Sequence, residues 1–264
     1  MVLRKEFFIM SAKIKVFTFN LRINNKGDGI NMFDNRTDRI LECINTYQPD
    51  LIGFQEGNAH MRAFLRDHLT DYTVVGCGRD KDYHGESAAI AFKKDAFELI
   101  SLDTFWLSAQ PHVPGTRYGG DQSGCPRVCT SAFLKHNDCE KPFWFYNTHL
   151  DHKGATARLL GALQVIQYVS DRPEKFIMTG DFNALPDAPE IKVFTEHDMG
   201  IIDATANLGG TFHDFGRRET FSKIDYIFTN GECDLNESFV VPDEGVDGVY
   251  ISDHFPVCAL IEME

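Results

Sequence analysis

Phe176-Ile177-Met178-Thr179-Gly180-Asp181-Phe182-Asn183 is the stretch from which the fold is read. A short apolar run suited to a buried strand stops at Gly180, and an Asp and an Asn follow where a loop would begin. The same sequence of events recurs along the chain. Ile14–Phe19 ends in Asn20, Leu51–Gln55 in Glu56, and Phe143–Tyr146 in Asn147-Thr148-His149-Leu150-Asp151-His152. Lys223-Ile224 leads into Asp225, and Tyr250-Ile251 into Ser252-Asp253-His254. Six strand ends that gather at one sheet edge would form a concave, acidic, histidine-bearing site.

Strands are expected at Ile14–Asn20, Leu51–Gln55, Tyr72–Cys77, Ala88–Lys93, Phe97–Leu107, Arg127–Lys135, Phe143–Leu150, Phe176–Gly180, Lys223–Thr229 and Val257–Glu262. Helical spacing of apolar residues predicts helices over Asn35–Tyr47, Met61–Leu69, Ala155–Val169 and Ala188–Thr195. Strands and helices alternate early, but strands alone follow one another from Tyr72 to Leu150. That order argues for an α/β protein with two mixed sheets and helices outside, not a uniform βαβ winding. No linker interrupts the pattern, so residues 13–264 read as one domain behind an N-terminal extension over residues 1–12.

The 264 residues carry 39 acidic and 26 basic side chains, a formal charge of −13. No Lys/Arg cluster is long enough to track a phosphate backbone, which disfavours long duplex DNA as a partner. Carboxylates gathered around a cation would also lower the net charge, so substrates met through a bound metal stay open. Seven scattered cysteines without a Cys-x-x-Cys pair read as free thiols. No apolar run approaches a membrane span, and a cytoplasmic protein without membrane contact is expected. Nothing in the sequence fixes the oligomeric state.

The strand-end residues divide by chemistry. Asn20, Glu56, Asp181, Asn183 and Asp253 are hard oxygen donors suited to Mg²⁺ or Mn²⁺. His149, His254 and Asp225 are proton-transfer groups, with a carboxylate available to orient an imidazole. Together they point to hydrolysis of a phosphate ester. A rival zinc reading falls one histidine short of His-x-His-x-Asp-His, because Asn147 occupies its first position. The remaining histidines, His213 among them, read as surface or loop residues.

In order along the chain, Phe17-Thr18-Phe19-Asn20-Leu21-Arg22, Ile52-Gly53-Phe54-Gln55-Glu56, Asn147-Thr148-His149-Leu150-Asp151, Gly180-Asp181-Phe182-Asn183, Lys223-Ile224-Asp225-Tyr226-Ile227-Phe228 and Ser252-Asp253-His254-Phe255-Pro256-Val257 resemble the motifs of the endonuclease/exonuclease/phosphatase (DNase I-like) superfamily. The flavour is that of a small bacterial-type, deadenylase-like member. The resemblance implies a four-layer α/β sandwich, two mixed β-sheets packed face to face with helices outside, and a divalent-metal site at the sheet edges. It implies Asn20 and Glu56 at the metal with Asp253 near it, and Asp181 and Asn183 positioning water and phosphate. His149 would stabilise developing charge and Asp225 would orient His254, while either Asp181 or His254 takes the proton. Arg22, Asn183 and Arg127 are read as substrate-binding, Arg127 because a guanidinium suits phosphate. The segment Ala109–Cys125 is read as a substrate loop.

The expected activity is a Mg²⁺- or Mn²⁺-dependent phosphodiesterase on a small phosphodiester or a short single-stranded nucleic acid. The alternatives are a phosphomonoesterase on a sugar or inositol phosphate and a catalytically silent binding module. No expected catalytic position is substituted, which weighs against the last.

Overall fold

The expected strands can bury both faces, since apolar residues occupy successive positions, as in Val16-Phe17, Leu51-Ile52 and Ile177-Met178. The computed structural model describes residues 11–264, so the extension expected over residues 1–12 lies outside the described residues up to Met10. The first strand, β1 (Ala12–Asn20), is followed by β2 (Leu51–Gly57), β3 (Tyr72–Val75) and β4 (Ser87–Lys93). The second sheet contains β5 (Phe97–Trp106), β6 (Val128–His136), β7 (Phe143–His149), β8 (Phe176–Asp181), β9 (Ile202–Asp203) and β10 (Asp225–Thr229). The chain then returns to the first sheet through β11 (Glu232–Cys233), β12 (Phe239–Val240) and β13 (Val257–Met263).

The first sheet has the order β11-β13-β1-β2-β4-β3, with β12 beside β13, and the second the order β5-β6-β7-β8-β10-β9. Among the described residues, only β1/β2 and β7/β8 pair in parallel; every other strand pairing is antiparallel. Each parallel pair needs a crossover, and helices provide it: α1 (Phe33–Tyr47) and α3 (Ala155–Ser170). With α2 (Ala59–His68) and α4 (Pro189–Thr195), all four expected helices are present. Tyr72–Val75 stops two residues short of the expected strand because Gly76 turns the chain at φ 115°. The two-residue strands β9, β11 and β12 escape a periodicity reading.

Alternation along each strand sorts three apolar layers. Val16, Leu51, Phe145, Ile177 and Ile227 fill the space between the sheets. Their neighbours Phe17 and Ile52 meet α1 and α2, while Tyr146, Met178 and Phe228 meet α3 and α4. The result is the four-layer α/β sandwich, with two mixed sheets face to face and helices outside.

Following the inter-sheet face toward the strand ends, the apolar layer gives way to Thr18, Gly53, Gln55, Asn147 and Thr179. Asn147 is fully buried. Its amide donates to the carbonyls of Phe54 and Ala89 in the facing sheet, both at 2.8 Å. Its Oδ1 accepts from Gln55 Nε2 at 2.7 Å and Thr179 Oγ1 at 3.1 Å. This close approach requires a glycine opposite: a Cβ on Gly53 would fall 1.9 Å from Thr179 Oγ1 and 2.7 Å from Asn147 Oδ1. Gly53→Ala should therefore lower stability by about 1–3 kcal/mol, the usual cost of overpacking. Gly209→Ala, with no atom within 4 Å of the added carbon, should change it by less than about 0.5 kcal/mol in the same urea titration.

Candidate functional site

Two residues beyond the polar layer, period-two alternation brings the same face of each strand to the sheet edge. Asn20 follows Thr18, His149 follows Asn147, and Asp181 follows Thr179, all three buried. Asp225, at the start of β10, lies opposite Asp181 in the antiparallel ladder. Glu56 does not obey this alternation, because Gln55 already occupies the inter-sheet face. Its register shifts between Phe54 and Gly57, and Glu56 takes φ 64°, a bulge that turns its carboxylate into the site. Arg22 (φ 53°), Asn183 (φ 49°) and Asp214 (φ 52°), which line the same pocket, are also left-handed.

Asn20 Nδ2 ties the carboxylates together, donating to Glu56 Oε1 at 3.1 Å and Asp181 Oδ2 at 2.9 Å. The other Glu56 oxygen accepts from the Ile23 N–H at 2.8 Å. Asn183 closes the β8 turn by donating its backbone N–H to Asp181 Oδ1 at 2.9 Å, and its amide to His149 Nε2 at 3.0 Å. His254 Nδ1 donates to Asp225 Oδ2 at 2.9 Å, and its Nε2 lies 3.8 Å from Asp181 Oδ2. His149 Nε2 approaches the same oxygen to 3.4 Å. Asp181 is thus shared by both histidines.

Burial disfavours charge on His254, but Asp225, Asp181 and Asp253 outweigh it and push the imidazole up to about 10. Asp181 and Asp253 are both pushed upward, each first by burial; Asp225 adds to the first and Glu56 to the second. Burial and the nearby Arg127 guanidinium hold His149 well below its usual range, which keeps it neutral. The pocket therefore crowds buried carboxylates that a cation would relieve. Ligand atoms of Glu56, His149 and Asp181 lie within 4.8 Å of one another, as do those of Asp181, Asp225 and His254. The first of these groups, two carboxylates bridged by the Asn20 amide with an imidazole beside them, offers carboxylate oxygens that fit Mg²⁺ or Mn²⁺, while Asn20 Oδ1 itself accepts from the Arg22 N–H at 2.9 Å. Asp253 stands outside both groups, 3.6 Å from Arg22 Nε.

All ten residues expected from sequence meet at this edge: the eight around the carboxylate cluster, with Arg22 and Arg127 beside them, Arg127 lining the pocket near His149. Arg22 lines it too, but Asp28 holds its guanidinium through two bonds of 2.9 Å. The cavity, of about 470 Å³, takes further walls from residues to which the sequence assigned no site role: Arg79 and Glu86, His152, and Phe212, Asp214 and Arg218. The segment Ala109–Cys125 contributes only Cys125 to it. That segment is docked on α3 instead, where Asp121 accepts the N–H groups of Thr156 and Ala157, and Tyr118 donates to Gln164. His213 lies on a loop, as expected, but is buried there, stacked on Phe255 at 3.9 Å.

A model described as the Endonuclease/Exonuclease/phosphatase family matches residues 18–254. The chain belongs to this family of phosphate-ester hydrolases. An endonuclease/exonuclease/phosphatase from Bacteroides vulgatus, known from its crystal structure, is 32% identical, covering 96% of this chain and 100% of its own, with a TM-score of 0.85. A mannosyl-6-phosphatase from Bacteroides thetaiotaomicron VPI-5482 is 29% identical, covering 94% of this chain and 99% of its own, with a TM-score of 0.84. Uncharacterized protein L388 of Acanthamoeba polyphaga mimivirus is 26% identical over 262 residues, 87% of this chain and 92% of that one.

Behind the site, Arg36 of α1 is fully buried. Its Nε donates to the Asn31 carbonyl at 2.7 Å, and its other nitrogens to the carbonyls of Ile251 at 2.5 Å and Arg22 at 2.9 Å. One guanidinium thus joins the segments that carry Asp253 and Arg22. It falls on the apolar stripe of α1 with Phe33, Ile40 and Ile44, and an arginine on such a stripe was the available signal. Arg36→Met leaves several buried carbonyls without donors and should lower stability by about 2–4 kcal/mol, read as a fall in thermal midpoint. Arg36→Lys, which keeps the charge but not the planar fork, should recover less than half of that loss.

Proposed function

We propose that this protein is a divalent-metal-dependent hydrolase of small phosphate monoesters, with a polyhydroxylated alcohol such as a sugar as the leaving group. The observation that carries this reading is the polarity of the pocket wall. Arg79, Glu86, His152, Asp214 and Arg218 can exchange hydrogen bonds with hydroxyl groups. Phe212 is the one aromatic ring other than histidine lining the pocket among the described residues, and it is already engaged. It packs on His254 at 4.8 Å between centroids and lies under the Arg218 guanidinium at 4.7 Å. Single-stranded nucleic acid is usually held by stacking bases on free aromatic faces, and here such a face is lacking. The resemblance to the mannosyl-6-phosphatase supports the same reading. It puts first the activity that the sequence ranked second, after phosphodiester cleavage.

In this reading Asn20 and Glu56 hold the cation, with Asp253 near it. When bound, the ion neutralises charge on the phosphate oxygens. Asp181 and Asn183 orient a water molecule against phosphorus, and Asn183 and neutral His149 hydrogen-bond the phosphate. Water adds to phosphorus, the phosphorus–oxygen ester bond breaks, and the departing oxygen takes its proton from solvent water, a proton that the acid chain returns to solvent after the step. The proton of the attacking water passes to the chain Asp181, His254, Asp225, whose members titrate as a unit. Asp225 holds the His254 ring through Nδ1, which leaves Nε2 toward Asp181. Residues 13–264 act as one domain in this scheme, and seven unpaired cysteines support a reducing, cytoplasmic setting.

With Mg²⁺ present, hexose 6-phosphates should be cleaved with kcat/KM at least 100-fold above bis-p-nitrophenyl phosphate and short single-stranded DNA. Chelation should abolish turnover, and Glu56→Gln, Asp181→Ala and His254→Ala should each lower kcat by roughly 10²–10⁴, the size of an acid–base or electrostatic contribution. The opposite substrate order would return the reading to a phosphodiesterase. Retained activity in two of the three variants contradicts the assigned site.

A further inference from the structure

We propose that the β6 end of the pocket is a second anion subsite, so that the natural substrate carries a carboxylate or a second phosphate besides the phosphate that is hydrolysed. This deepens the phosphate-ester reading above and rests on it.

Arg127 stands immediately before β6, the neighbour of β7, and β7 separates it from β8. At the usual strand spacing, the Arg127 backbone lies roughly 10 Å along the sheet from that of Asp181, with His149 between them. The facing strand there is β4, which brings Glu86 just before its start. The site edge therefore has three zones: Asp225, His254 and Asp181; then Glu56 with His149; then Arg127 with Arg79 and Glu86.

In the third zone the charges balance, Arg79 and Arg127 against Glu86 and Asp151, but the hydrogen bonding does not close. The Arg127 side chain is 4% exposed. One of its terminal nitrogens donates to His152 Nδ1 at 2.9 Å, but Nε and the other terminal nitrogen have no partner. Asp151 lies 3.7 Å from Nε, yet its oxygens are taken by the N–H groups of Ser123, Lys153 and Gly154 and by the Ser123 hydroxyl. Glu86 is bonded to Arg79 at 2.6 Å. What is left over is a buried guanidinium with two unpartnered nitrogens, which carry three N–H groups between them, on a residue that lines the pocket. His152, whose Nδ1 accepts from Arg127, has only Nε2–H left to offer, and it lines the same pocket. Leaving such donors unmatched is costly, whereas an anionic oxygen group meets them with charge-assisted bonds. The separation of zones suits a phosphate and an acid at opposite ends of a six-carbon chain. Arg127 thus selects the substrate at a distance from the hydrolysed bond.

The test compares hexose 6-phosphate, the aldonic acid 6-phosphate and hexose 1,6-bisphosphate, each with Mg²⁺. For the native protein, at least one doubly anionic substrate should exceed the hexose 6-phosphate at least tenfold in kcat/KM, mainly through KM; which one does so tells carboxylate from phosphate. Arg127→Met should remove most of that preference. If thermal denaturation shows Arg127→Met misfolded, Arg127→Lys should still reduce the preference at least threefold, since it lacks the guanidinium's spread of donors. Equal kcat/KM on all three substrates in the native protein overturns the proposal. So does an equal loss on all three in the variant, which would put Arg127 on the hydrolysed phosphate. If the native protein cleaves none of them, the sugar-phosphate monoester reading itself fails, and this inference with it.

Discussion

Asn147 is the point on which the site depends. Its amide bonds two carbonyls of the facing sheet while its oxygen accepts from Gln55 and Thr179, one residue from each sheet. Buried amides of this kind are costly when half satisfied and specifying when fully satisfied, so the arrangement fixes how far one sheet can slide over the other. The consequence is local. Glu56 is one residue past Gln55, His149 two past Asn147, and Asp181 two past Thr179, so a slip of either sheet would separate the carboxylates from the imidazoles. Gly53 makes the approach sterically feasible, and the apolar layer below supplies the affinity of sheet for sheet.

The electrostatics of the edge follow from that registration. Acids from the first sheet meet acids from the second at a depth where water screens poorly, and the cluster raises Asp181, Asp253 and His254 together. The formal charge of −13 therefore has two parts with different meanings. A few carboxylates are forced together where a cation can offset them, and most of the rest lie toward solvent. Within the pocket, Arg22 lies beside Asp253 and Arg79 is bonded to Glu86, while Arg127 stands on the far side of His149 from Asp181. A site with acids at one end and a buried guanidinium at the other suits a small substrate carrying charge at defined places.

Much of this was legible in the sequence because buried strands announce themselves twice, by continuous apolar runs and by the polar residue at which each run stops. Asn20, His149, Asp181 and Asp225 follow directly from alternation. Glu56 does not, since its orientation depends on a bulge that a period-two pattern cannot contain. The pocket wall was invisible for a related reason. Arg79, Asp214 and Arg218 sit on loops without periodicity, and only the folded chain says which loops lean over the edge. The long segment before Cys125 illustrates the converse, since its glycines suggested a substrate loop while Asp121 and Tyr118 anchor it to α3.

The most direct measurement of the central claim is isotopic. A single turnover of a hexose 6-phosphate in ¹⁸O-enriched water, with Mg²⁺ and enzyme in excess, should release inorganic phosphate carrying one solvent oxygen and a sugar carrying none. That outcome follows from water attacking phosphorus within the Asp181, Asn183 and His254 cluster. Solvent oxygen in the sugar, or no phosphate released at all, would contradict it.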